Sequence, residues 1–205
     1  RGLGDVYKRQ AEREKAPRHD VKARIEEFNA LAGQEHIHKG MTSRDLTENV
    51  EQLQIFSSLQ LARDKAVAVL ARIGRRAAEN QSLVMAGRSH NVAAQATTLG
   101  KRFASAADEL LVGLERIEDL LSRYPLRGIK GPMGTSQDML DLVGGDESKL
   151  AALESTIAEN LGFSRVFDSV GQVYPRSLDM DALSALAQIG AALSSLSMTI
   201  RLMAG

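Results

Sequence analysis

Apolar residues recur along most of the chain at steps of three and four, and no segment alternates convincingly at a step of two. Val21, Ile25, Phe28 and Leu31 mark an amphipathic helix over residues 18–32, which Gly33 closes. From Leu46 the spacing continues through Val50, Leu53, Phe56, Leu59, Ala62, Ala66, Leu70, Ile73 and Ala77. One face held for about 30 residues makes a helix of roughly 45 Å, a length typical of bundles and coiled coils. A second long helix is predicted through Val92, Ala96, Leu99, Phe103, Ala106, Leu110, Leu114, Ile117 and Leu121, ending before Pro125, with a polar loop over 80–90 between the two. A Gly-rich passage over 127–135, a shorter helix over 147–161 closed by Gly162, a loop over 171–176 and a last helix from Ser177 complete the reading. The predicted class is all-α.

The last helix carries no charge over residues 182–200. That length raises the question of a membrane span. Ser184, Gln188, Ser194, Ser195, Ser197 and Thr199 are distributed around it, and Ala and Gly fill much of the rest. Such a helix is expected to be buried among other helices, some from partner chains or from sequence beyond these residues, and no membrane partner is expected.

Residues 1–10, Arg1-Gly-Leu-Gly-Asp-Val-Tyr-Lys-Arg-Gln10, have no apolar periodicity and none of the parts of a signal peptide. They resemble the translation of a sequencing adapter and are expected to pack against nothing.

Charge and composition narrow the functional classes. The 26 Lys and Arg balance 26 Asp and Glu, which argues against a dedicated nucleic-acid binder. The absence of Cys excludes a disulfide framework, a thiolate metal site and a cysteine nucleophile. All four His fall in or near predicted loops: His19, His36, His38 and His90. Loops on a rigid helical scaffold are favoured places for catalytic groups. His36 and His38 beside Glu35 lack a third ligand at a supporting spacing, so no metal is expected. Thr42-Ser-Arg-Asp45 matches a helix capping box, and capping alone explains its residue types. The other reading is an anion site, in which the hydroxyls and free N–H groups of the helix end hold a carboxylate or phosphate. Lys130 lies in a Gly-rich loop without the spacing of a nucleotide P-loop.

Five blocks taken in order carry a more specific resemblance: His19-Asp-Val-Lys-Ala23, His38-Lys-Gly-Met-Thr-Ser-Arg-Asp45, the stretch from Gly87-Arg-Ser-His90 to Gly100, Lys130-Gly-Pro-Met-Gly-Thr135, and Gly171-Gln-Val-Tyr-Pro-Arg176. In this order they resemble the adenylosuccinate lyase family of the fumarase/aspartase superfamily, from about residue 12 to the end. The resemblance implies a truncated long-helix bundle with part of a small N-terminal helical domain. Residues 11–42 would belong to that domain and 43–205 to the first part of the bundle.

The implied reaction releases fumarate from adenylosuccinate, giving AMP, and from the succinylocarboxamide ribotide of purine biosynthesis. It needs a base, donors for a carboxylate whose charge grows, and an acid for the departing nitrogen. The resemblance makes His90 the general acid and His19 a second catalytic histidine, with His38 on the substrate side. It also implies substrate contacts from Asp20, Thr42, Ser43, Arg88, Ser89, Lys130, Thr135, Gln172 and Arg176. No cofactor is implied. Succinylated purine nucleotides and fumarate are the implied ligands, in a cytoplasmic homotetramer whose active sites are shared between subunits. The family's Gly-Ser-Ser-x-Met-Pro-x-Lys-x-Asn loop, with its serine base, does not occur in residues 1–205, so the chain reads as an internal fragment, expected to be inactive by itself. A sibling lyase of the superfamily and a non-catalytic helical scaffold are the alternatives.

Overall fold

The computed structural model describes residues 3–204, with Leu3 described by its backbone alone. The elements are α1 (Leu3–Glu14), α2 (Asp20–Ala32), α3 (Ser43–Glu79), β1 (Val84–Ser89), β2 (Val92–Thr98), α4 (Leu99–Arg123), α5 (Gln137–Leu142), α6 (Glu147–Asn160) and α7 (Ser177–Ala204). They form two compact units. Residues up to Leu53 with Pro125–Pro175 make the first, and Gln54–Tyr124 with Arg176 onward make the second. These units follow packing, whereas the proposed division into 11–42 and 43–205 follows sequence order.

In the first unit, α2 begins at His19 and ends at Gly33, which adopts φ 67° as the left-handed C-cap. Val21, Ala23, Ile25 and Glu27 are buried, at alternate positions that fall on two sides of the helix, while Phe28 and Leu31 are exposed. Val21 and Ile25 keep the predicted face, and α1 packs on α2. Arg9 Nε and Arg13 Nε reach the two oxygens of the buried Glu27 at 2.6 and 2.8 Å. This corrects the expectation that residues 1–10 pack against nothing, at least for their described part. A polar sequence without an apolar stripe can still dock through charge when its partner is a buried carboxylate. Val6 is half-buried and Tyr7 exposed. Gly162 closes α6, with the Phe163 N–H bonded to the Ala158 carbonyl at 2.9 Å.

A second correction concerns the start of α3. Leu46 and Val50, predicted on its core face, are exposed, and Asp45, Glu48, Asn49 and Gln52 are buried instead. Their spacing of three, one and three places them on one face. Polar loops lie against that face, so the hydrogen-bonding side chains turn inward.

In the second unit the predicted long-helix faces largely hold. Leu59, Ala66 and Ile73 of α3 are buried, as are Leu110, Leu114, Ile117 and Leu120 of α4. α3 and α4 run antiparallel. Phe56 and Tyr124 meet at one end with ring centroids 5.9 Å apart, and at the other a Cβ on Gly100 would lie 2.4 Å from the Ala77 carbonyl oxygen. α7 packs on α4 through Leu178, Ala182, Ala185, Ile189 and Ala192, with Gly113 letting the α4 backbone approach Ile189. Met180, Leu183, Met198 and Leu202 stay exposed, so the described residues cover only one stripe of α7.

The polar-loop expectation fails between α3 and α4, while the chain as a whole is mostly helical as expected. Residues 84–89 and 92–98 pair as an antiparallel hairpin. Val92 and Ala96, read as the first turns of a helix, lie in β2, and α4 starts only at Leu99. His90 and Asn91, at φ 53° and 63°, supply the two left-handed central residues of a type I′ turn. Thr98, capping the Lys101 N–H at 3.1 Å, fixes where the helix begins.

Candidate functional site

The first unit gathers four of the sequence-predicted residues around one cavity. His19, His38, Thr42 and Ser43 line a space of about 560 Å³, with Lys22, Lys39, Glu26 and Glu35 on the same walls. His19 is held by its place as the N-cap of α2, where its Nδ1 accepts the Lys22 N–H at 3.3 Å. In the neutral ring that bond leaves the proton on Nε2. Asp20 lies beside it, with Oδ1 3.8 Å from Nδ1, and is largely exposed. His38 has φ 72°, and its Nε2 is buried with no hydrogen-bond partner among the described residues. It also lines a second, mainly apolar cavity of about 670 Å³ walled by Phe28, Leu46, Met139 and Ile157.

Thr42 and Ser43 open α3. Half of the capping box forms: the Thr42 N–H donates to Asp45 Oδ2 at 2.8 Å, while the Asp45 N–H donates to the Thr42 carbonyl at 3.0 Å. This supports the capping reading of the block and leaves the two half-buried hydroxyl residues on the cavity wall. The capping bond uses the Thr42 N–H and neither side-chain hydroxyl.

Asp45 does more than cap. Its Oδ1 accepts the backbone N–H groups of Lys130 and Gly131, each at 3.0 Å, and pairs with the Arg127 guanidinium. Asn49 takes the Gly128 N–H and gives back to its carbonyl, both at 2.9 Å. Gln52 accepts the Arg127 N–H at 2.6 Å and donates to the Pro125 carbonyl at 2.9 Å. Glu48 accepts the Tyr174 N–H at 3.2 Å. The buried face of α3 thus holds the loops that follow α4 and α6. Sequence reasoning read Asp45 only as a helix cap and missed Glu48, Asn49 and Gln52.

The remaining predicted residues are placed differently. Lys130 is buried, and its Nζ sits on Glu154 Oε2 at 2.8 Å. Thr135 and Gln172 are exposed on loops of the first unit. Arg88, Ser89 and His90 stand exposed at the end of the hairpin in the second unit. The helix start expected for His90 is therefore corrected to a turn. Gly87 permits a bulge there, since a Cβ would lie 3.0 Å from the Gln95 carbonyl oxygen, and register shifts between Gly87 and Arg88. Arg176, also in the second unit, is exposed and reaches Asp179 at 3.4 Å. No group of three or more His, Asp and Glu among the described residues is placed to hold a metal ion.

A family profile described as lyase matches residues 11–204. The chain belongs to this lyase family. Among the lyases with curated names, it is 34% identical to the adenylosuccinate lyase of Schistosoma mansoni, covering 94% of this chain and 41% of that protein. It is 37% identical to the adenylosuccinate lyase of Saccharomyces cerevisiae, covering 91% of this chain and 39% of that protein. The chain thus spans about two fifths of these relatives' length. In fold, the lyase chain matches a crystal structure of fumarate lyase from Mesorhizobium sp. BNC1 with a TM-score of 0.80 at 21% identity, over 96% of this chain and 45% of the other. A beta-carboxy-cis,cis-muconate cycloisomerase from Acinetobacter calcoaceticus sp. ADP1 matches with a TM-score of 0.78 at 18% identity, over 97% of this chain and 46% of the other.

Proposed function

We propose that this chain is the segment of an adenylosuccinate lyase that supplies the acid and much of the substrate-holding surface. The enzyme would release fumarate from adenylosuccinate and from the succinylocarboxamide ribotide. The observation that carries this reading is identity of 34–37% to named adenylosuccinate lyases across more than nine tenths of the chain. The cavity formed by His19, His38, Thr42 and Ser43 supports it, because a helical scaffold has no need of two histidines and two hydroxyl residues around one space.

In the proposed reaction a base removes the proton next to a succinyl carboxylate. The electrons form the fumarate double bond as the C–N bond breaks, and His90 protonates the departing nitrogen. Imidazole suits this step because its ordinary titration range spans neutrality. Thr42 and Ser43 hold the carboxylate whose charge grows, with the α3 end behind them. The serine base that the resemblance implies belongs to a motif outside residues 1–205. His19 serves beside the reacting centre, Asp20 orients it, and His38 and Lys130 belong to the substrate-binding surface with Arg88, Ser89, Thr135, Gln172 and Arg176. The chemistry asks for no cofactor. The exposed apolar face of α7 supports assembly with further copies into a homotetramer, and the proposed nucleotide substrates support a cytoplasmic location.

Fold likeness to a fumarate lyase and a cycloisomerase favours one alternative, a sibling lyase acting on another substrate. Offering the longer polypeptide adenylosuccinate, the succinylocarboxamide ribotide, argininosuccinate and malate, and measuring fumarate, separates the two. Turnover of the first two alone is expected. Release from argininosuccinate or malate alone would establish the sibling.

A further inference from the structure

Besides Asp20 and His38, the substrate contacts proposed in the first unit come from three separate segments. The first turn of α3 carries Thr42 and Ser43, the loop after α4 carries Lys130 and Thr135, and the loop after α6 carries Gln172. One side chain donates to all three. The Arg127 guanidinium pairs with Asp45 of α3, donates through NH1 to the Gly128 carbonyl at 3.2 Å and through NH2 to the Gly131 carbonyl at 3.0 Å. NH2 also reaches the carbonyl of Gly171, the neighbour of Gln172, at 3.0 Å. Asp45 completes the junction by taking the N–H groups of Thr42, Lys130 and Gly131.

We infer that Arg127, acting through Asp45, is a positioning residue that sets the mutual spacing of these three segments and thereby the affinity for the dicarboxylate end of the substrate. This rests on the lyase reading above. Neither side chain has any solvent exposure, so neither touches substrate. The arrangement is also a poor choice for stability alone. Two charges are taken out of water where apolar side chains of similar volume would serve as well or better. Arg127 Nε is buried with no hydrogen-bond partner among the described residues. What the guanidinium offers in return is geometry, because its planar fork addresses acceptors on three segments at fixed angles. An ammonium has three donors and no fork, so Lys at this position keeps the charge and loses the alignment.

The test uses the longer lyase polypeptide and titrates fumarate by calorimetry, with wild type, Arg127→Lys and Asp45→Asn side by side. Calorimetry separates affinity from the number of sites, and loss of folded protein lowers only the number. The expected result is a full complement of sites with fumarate bound about tenfold more weakly in Arg127→Lys, equivalent to about 1.4 kcal/mol. Asp45→Asn, nearly isosteric, is expected to shift affinity in the same direction and covers the case in which Arg127→Lys does not fold. Unchanged affinity in the folded variants, a loss confined to site number, or failure of both variants to fold would make the pair merely structural and overturn the inference. Wild type that binds no fumarate would overturn the lyase reading together with it.

Discussion

Arg127 and Asp45 form an ion pair from which solvent is wholly excluded, linking two residues 82 positions apart in the sequence. Removing one member of such a pair strands the other charge in the interior. Asp45→Ala is therefore expected to destabilise the chain by about 3–5 kcal/mol, since it also frees three backbone N–H groups. Urea unfolding checks this, and a midpoint within error of wild type would show that the pair contributes nothing.

Gly134 tests the loop that the pair supports. It has φ 79°, and a Cβ there would sit 1.7 Å from the Val170 carbonyl oxygen. Gly134→Ala is expected to cost at least about 3 kcal/mol, combining left-handed strain with a backbone clash. Gly33 has a similar φ of 67° with nothing within 4 Å, so Gly33→Ala is expected to cost only the strain, about 1–2 kcal/mol. Equal losses in thermal unfolding would refute the distinction.

Glu27 ties α1 to α2 and gives the docking a pH dependence. The hydrogen bond from Arg13, aided by Arg9 and opposed by burial, holds its carboxyl below the ordinary carboxylate value. A depressed folded value means the contribution is fully present above the unfolded pKa and is lost as pH falls through the folded one. Amide protection factors in α1 should fall on acidification below the ordinary carboxylate range, and Glu27→Gln should abolish that dependence. Protection of α1 that is indifferent to acid in wild type would contradict it.

The faces of the long helices were legible in the sequence because burial on a helix imposes a period near 3.6, and Leu59, Ala66, Ile73, Leu110, Leu114 and Ile117 obey it. The hairpin was not, because Val92, Ala94 and Ala96 lie on an exposed ribbon where no buried face enforces alternation. Its turn uses His90-Asn91 rather than a glycine-bearing pair, which removed the other signal. The histidines and the Thr42 and Ser43 hydroxyls stood out by their positions, and the family resemblance implied their roles. The stripe of Asp45, Glu48, Asn49 and Gln52 was missed because charge at helical spacing ordinarily faces water. Here it faces backbone, and only the folded loops reveal that.

α7 leaves Leu183, Met198, Ile200 and Leu202 exposed along much of its length. Apolar surface of this extent marks an interface or a solubility liability. The 205-residue chain expressed alone is expected to self-associate in sedimentation experiments, and Leu183→Glu with Leu202→Lys should reduce that tendency. A well-behaved monomer for the unsubstituted chain would refute the assembly surface.

If this segment supplies the general acid of a fumarate-releasing lyase, as proposed, the decisive comparison is turnover of adenylosuccinate by the longer polypeptide, wild type against His90→Gln. Gln keeps comparable size and polarity but cannot donate the proton. Fumarate release by wild type is expected, with a fall in kcat of about 10² to 10⁴ for the variant, a much smaller change in KM and an unchanged fold. Near-full turnover by His90→Gln, with turnover abolished in His19→Gln, would contradict it and move the acid to His19.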